Sequence, residues 1–250
     1  MHSLENHQKN NRKNPLTFFK SYAMIKLSKG KRGNKLMNYI VIDTETTNGF
    51  DDPMVYDCGW AVINDEGEVL KTRSYVVADV FCDEELMKEA FFADKIPQYV
   101  KDVADGARKM AWFRNVKKVL RKDCKNFEVG AIMAHNMRFD YRSCTRSQRY
   151  ITKSADRWFY PYGVELWDTL KMARQTFGHD ENYKNFCSEN GYTLKNGSPR
   201  LTAEILYRYI SGKNDFEEEH TGLADVLIEK EIFLACMAKN ANCEKGVWSN

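Results

Sequence analysis

Apolar side chains recur along this chain in distinct rhythms, and each rhythm predicts a different kind of element. At 39–43 the run YIVID is short and β-branched and closes on a carboxylate, which predicts a strand. A turn-rich stretch, NGFDDP at 48–53, separates it from a second strand over 56–63. A turn at 65–67 leads into a third strand over 69–77, so the first three strands form an antiparallel meander. From about Asp83 the rhythm turns helical, through EELMKEAFF, a break at Pro97 and a Lys/Arg-rich stretch at 105–125. VGAIMA at 129–134 is continuously apolar, as a buried strand should be. A helix follows from Phe139 to about residue 156, then a short strand at 164–167. Helices near 168–176, 182–190, 201–210 and 222–238 complete the chain. This order predicts an α/β fold: a mixed five-stranded sheet flanked by helices, with a helical insertion at 78–128 between strands three and four. There is no internal repeat and no interior linker to split the body.

Composition narrows the class. With 250 residues, 43% hydrophobic and 13% aromatic, the chain can bury roughly 70–75% of its unfolded surface. That excludes a disordered chain and a disulfide-stapled miniprotein. The mean hydropathy of -0.61, with no apolar run near the roughly 18 residues a span needs, predicts no membrane helix. The seven cysteines are scattered and form no C-x-x-C pair, the usage of free thiols in a reducing, cytoplasmic setting. The formal charge of +3 hides an asymmetry. Residues 1–38 carry nine Lys/Arg and one Glu, while the remaining 212 carry 29 basic and 34 acidic side chains. The chain therefore reads as a flexible basic leader (1–38), an acidic body (39–240) and a short C-terminal tail (241–250). The leader has no secretory h-region and poor amphipathic periodicity. It reads either as an arm that touches phosphates or as dispensable sequence upstream of a later start.

The acids at strand and helix ends carry the chemistry. Asp43 and Glu45 close the first strand, and alternation places both on one face, where they repel unless a cation lies between them. Asp140 follows the 129–134 strand within HNMRFD, in the first turn of the next helix. Asp225 begins the helix after EHTGLA, with His220 five residues ahead of it. Each acid alone also fits a solvated strand end or a helix-dipole partner.

Together these residues resemble the DEDD-type 3′–5′ exonucleases, the DnaQ-like family with the ribonuclease H-like fold. The D-x-E motif is Asp43 and Glu45, and H-N-x-x-F-D is His135, Asn136, Phe139 and Asp140. H-x4-D is His220 and Asp225, the pattern of the histidine subtype, since the tyrosine subtype would need Tyr at Thr221. Gly59 and Asp168 also stand where the family commonly has a glycine and an aspartate. The resemblance covers about residues 38–240, and the 78–128 insertion exceeds what a compact member needs. It implies hydrolysis of single-stranded DNA or RNA from the 3′ end, releasing nucleoside 5′-monophosphates. Two divalent cations, Mg²⁺ or Mn²⁺, would serve, because the ligands are carboxylates. By the same resemblance Asp43 bridges both cations, Glu45 and Asp225 complete one site, and Asp140 supports the other through water. His220 takes the proton of the attacking water. His135 reads as structural, and His179 as a surface-loop residue.

The resemblance also places Thr46 and Thr47 near the terminal nucleotide and Asn136 near the scissile region. Arg138, Arg142, Arg146 and Arg149 recur at helical spacing as a basic stripe. The segment 101–125 adds nine Lys/Arg against three Asp, interleaved with Trp112 and Phe113, and helix solvation explains that equally well. A replication or repair partner docking on the insertion or the tail, as for a proofreading subunit of a polymerase assembly, is a second reading. A nucleic-acid-binding module that lost catalysis is a third, opposed by the intact acid set.

Overall fold

The structure, a computed structural model, describes residues 37–48, 51–153 and 155–248. The basic leader up to residue 36 lies outside them. The meander is present: β1 (Asn38–Thr47), β2 (Met54–Ile63) and β3 (Val69–Val77) pair antiparallel in succession. Two short helices follow, α1 (Ala78–Phe81) and α2 (Glu84–Met87), then α3 (Ile96–Ala104). The stretch read as helical at 105–125 instead divides into β4 (Lys109–Ala111) and α4 (Phe113–Asn126).

β4 is the departure from the expected five strands. It pairs parallel with the buried end of β3, Tyr75 to Val77, and makes the sheet six-stranded. Three residues are too few for alternation to register, and the Lys/Arg around them mimics a solvated helix face. The remaining elements are β5 (Val129–Ala134), α5 (Met137–Ile151), β6 (Glu165–Asp168), α6 (Thr169–Thr176), α7 (Glu181–Glu189), α8 (Ala203–Ser211) and α9 (Gly222–Lys239). The order across the sheet is β4-β3-β2-β1-β5-β6; β5 runs parallel to β1, and β6 parallel to β5. The segment read as a C-terminal tail lies against β6 and covers that outer edge. The Val247 amide donates to the Leu166 carbonyl at 3.0 Å, and the Asp168 amide donates to the Lys245 carbonyl at 2.8 Å. Backbone groups that an open edge strand would leave unpaired are thus satisfied.

Alternation along β1 sends side chains into two cores. Ile40 and Ile42 pack on one face with Phe113, Val116 and Leu120 of α4 and Cys144 of α5. Tyr39 and Val41 pack on the other with Met172, Leu206, Val226, Ile232 and Phe233. The seven cysteines are all free. Among the described residues no helix is long and apolar enough to cross a membrane.

α9 lies unusually close to the sheet, and two glycines permit it. A Cβ on Gly59 would stand 2.4 Å from the Gly222 carbonyl carbon and from the Leu223 amide nitrogen. One on Gly222 would stand 2.8 Å from the Gly59 nitrogen. Backbone therefore rests on backbone where the first turn of α9 crosses β2. Gly59→Ala should lower stability by about 2 kcal/mol or more in chemical denaturation, because neither backbone can yield cheaply. Gly246→Ala, whose added carbon would meet nothing closer than 3.6 Å, should be nearly neutral in the same assay.

Candidate active site

The close approach of α9 brings Asp225 to the end of β1. One carboxylate oxygen from each of Asp43, Glu45 and Asp225 lies within 4.8 Å of the others. Glu45 and Asp225 are buried and Asp43 is half-buried. Asp140, buried on the first turn of α5, stands in the same cleft but outside that trio, accepting a 2.8 Å hydrogen bond from the Thr44 hydroxyl. The cleft is about 820 Å³ and also takes in Glu218, His220, Glu229, Asn136, Thr46, Phe91 and Phe92.

This crowd of acids titrates abnormally. Burial, then the charges of its neighbours, beginning with Glu45, push Asp43 well above the usual carboxylate range. Burial and Asp225 push Glu45 up to about 9. Burial and Glu218 push Asp225 up to about 8. Burial raises Asp140 to about 7 against the Thr44 hydrogen bond, which lowers it. Asp225 Oδ1 is buried and has no hydrogen-bond partner among the described residues. Hard oxygen donors, close together, mutually repelling and one of them orphaned, could hold a metal cation.

Two histidines from the motifs have separate fates. His135 is held at both ring nitrogens, Nε2 2.7 Å from the Leu201 carbonyl and Nδ1 3.1 Å from the Thr169 hydroxyl. A carbonyl only accepts, so Nε2 carries the proton and Nδ1 accepts from Thr169. Burial lowers its pKa, and the neutral ring has no free lone pair. His220 keeps its ring half-open in the cleft, 4.0 Å from Glu218 Oε2, too far for a hydrogen bond. Its ring lies flat on Phe92, with centroids 4.2 Å apart and planes 9° from parallel. Its backbone sits in the left-handed region at φ 53°, as does that of Asn136 at φ 77°. Such conformations in non-glycine residues gather where function demands an orientation. Asp168 supports the Asn136 turn by accepting from its amide at 3.2 Å while capping α6 through Leu170 and Lys171.

The expected substrate residues are divided. Thr46 and Asn136 line the cleft; Thr47 is fully buried and does not. Arg138, Arg142 and Arg146 are exposed on α5 outside the cleft, and Arg146 forms a two-pronged pair with Asp52. His179, read as a plain loop histidine, lines the cleft wall. Phe113 belongs to the core, whereas Trp112 is exposed.

Sequence reasoning missed Glu229, Phe92 and Asp57. Glu229 is one turn beyond Asp225 on the same face of α9, a spacing that could have revealed it, and it accepts from the His135 amide at 3.1 Å. Asp57 is wholly buried opposite Glu45 in the β1–β2 register. Its Oδ2 accepts from the Tyr99 hydroxyl at 2.8 Å, Arg108 Nη1 at 2.9 Å and the Gly222 amide at 2.9 Å. The insertion thus braces the helix that carries Asp225.

No protein-family model matches the chain, and no curated protein sequence matches it significantly. Solved structures do. The zinc-bound E. coli ExoI–ssDNA complex superposes with a TM-score of 0.54 at 13% identity, over 83% of this chain and 42% of that one. Exonuclease I from Methylocaldum szegediense superposes with a TM-score of 0.53 at 15% identity, over 82% and 41%. E. coli exonuclease I with a dT13 oligonucleotide gives a TM-score of 0.51 at 14% identity, over 83% and 41%. The fold is ribonuclease H-like. The chain spans about two fifths of the length of these exonuclease I chains.

The raised carboxyls have a signed consequence for stability. Unfolded, these acids ionise at about 4. Folded, they hold protons until about 7 to 9, so between those limits the folded chain binds more protons than the unfolded one. Stability therefore falls as pH rises through that window. In EDTA, Tm measured by calorimetry should decline from pH 5 to pH 9. Added Mg²⁺ or Mn²⁺ should raise it most at the upper end, and Asp225→Asn should flatten the decline and weaken the metal response.

Proposed function

We propose that this chain is a metal-dependent 3′–5′ exonuclease of the DEDD type, histidine subtype, acting on single strands of DNA, RNA or both. The observation that carries the reading is the convergence of Asp43, Glu45 and Asp225 within 4.8 Å in a cleft shared with Asp140 and His220. The exonuclease I structures that share the fold include complexes with single-stranded DNA, which favours the same class of ligand here.

Asp43, Glu45 and Asp225 would hold one divalent cation, and Asp43 with Asp140 a second. When bound, these cations supply an activated water and charge relief for the leaving 3′-oxygen. The chain's own groups do the rest. His220 takes the proton of the attacking water at a ring nitrogen. Burial lowers its pKa, which keeps the ring neutral and ready to accept at about pH 7. Phe92 fixes the plane of that ring by stacking. Thr46 and Asn136, which line the cleft, contact the terminal nucleotide.

A 5′-labelled oligonucleotide incubated with Mg²⁺ should give a stepwise ladder that Asp43→Ala abolishes. An oligonucleotide that binds yet stays intact would sink the enzyme reading in favour of a silent binding module. His220→Ala should lower kcat by about a hundredfold to ten-thousandfold. Phe92→Ala should lower kcat by about tenfold with KM little changed, and Phe92→Tyr should restore it.

A further inference from the structure

The last described turn of the chain presents an aromatic ring that the proposed chemistry does not use. Trp248 is 54% exposed, although the residues before it are firmly held. Val247 is buried, its amide bonds to β6, and Lys171 Nζ donates to the Gly246 carbonyl at 2.9 Å. A large aromatic fixed in place and left open can take a stacking partner.

Its neighbours say what kind of contact. The Arg138 guanidinium lies over the Trp248 ring, 5.5 Å from its centroid. Tyr141 meets the same ring edge-on, with centroids 5.4 Å apart at 83°, and is itself backed by Tyr160. Arg138 and Tyr141 share one turn of α5 with Asp140, and Arg138 is two residues beyond the cleft residue Asn136. Asp168 ties the two regions together, accepting from the Asn136 amide while its own amide donates to Lys245 of the tail. Arg138 Nη2 makes a long 3.5 Å hydrogen bond to the Val247 carbonyl, and no carboxylate pairs with the guanidinium among the described residues. A guanidinium stacked on indole keeps N–H donors for a phosphate, while the open ring offers a face to a base.

We propose that Trp248, Arg138 and Tyr141 form a nucleotide-binding platform beside the mouth of the cleft. It takes one base of a single strand on the 5′ side of the scissile linkage, stacked on Trp248, with its phosphate on Arg138. This rests on the exonuclease reading and deepens it. The tail thereby has a task in substrate binding, which favours nucleic acid over a docked protein as its occupant.

The test is equilibrium binding, by fluorescence anisotropy, of 5′-labelled oligo(dT) 12-mers to the full chain in Mg²⁺, with Asp43→Ala present throughout to prevent turnover. One strand is intact, and the others each carry a single abasic site at successive positions from the 3′ end. With Trp248 present, one abasic position near the 3′ end should weaken binding about tenfold. Trp248→Ala should weaken the intact strand by a similar factor and become indifferent to that position, while Trp248→Phe should retain most of the effect. Arg138→Gln, which leaves the ring in place, should keep the abasic profile and reduce the log–log salt slope by about one. An abasic profile that is the same with Trp and Ala at 248 overturns the platform and leaves the nuclease reading standing, provided the parent chain cleaves the labelled strand. A parent chain that neither cleaves nor binds overturns both.

Discussion

Acidic side chains crowded together in one cleft govern this structure. Asp43, Glu45, Asp140 and Asp225 lose hydration on burial and then repel one another, so the apo protein keeps protons that free carboxyls would release. A chain optimised for stability alone would not build such a place. What holds it is backbone: a ten-residue strand, β1, fixed between β2 and β5, and a helix pressed on the sheet by two glycines. The strain is electrostatic and local, and the surrounding cores are rigid enough to bear it.

The parts beyond the compact core serve that arrangement. The insertion places Phe92 against His220 and sends Tyr99 and Arg108 to Asp57, which in turn holds the Gly222 amide at the start of α9. Arg108 also pairs with Asp102 and lies over the Tyr99 ring at 4.8 Å. A buried ion pair of this kind is weak evidence of added stability, but it fixes one geometry, because breaking it strands a charge. The tail performs the matching service at the far edge, covering β6 and bonding to the Asp168 backbone.

Much of this was legible along the chain, and the failures have physical causes. β3 matches the strand expected at 69–77 after the turn at 65–67, and β5 matches the apolar run at 129–134, because turn residues and apolar continuity mark their bounds. β4 escaped notice because three residues carry no period. The acids of the three motifs lie in one cleft, at the strand ends and helix starts where sequence punctuation is strongest. Asp57 could not be read, for nothing about an acid within VYDCGW reveals that a tyrosine and an arginine some forty and fifty residues later will reach it. The α5 arginines show what spacing leaves out. Helical spacing correctly puts them on one exposed face, but spacing cannot show that Arg146 is already engaged by Asp52.

The contact between Gly59 and Gly222 also orders events in time. Asp43 and Asp225 are separated by most of the chain, and nothing joins them until α9 settles on β2. During synthesis the sheet strands emerge before that helix, so the carboxylates stay apart until the helix has emerged and docked. The acidic cluster is thereby a property of the folded whole, absent from any fragment that stops short of α9.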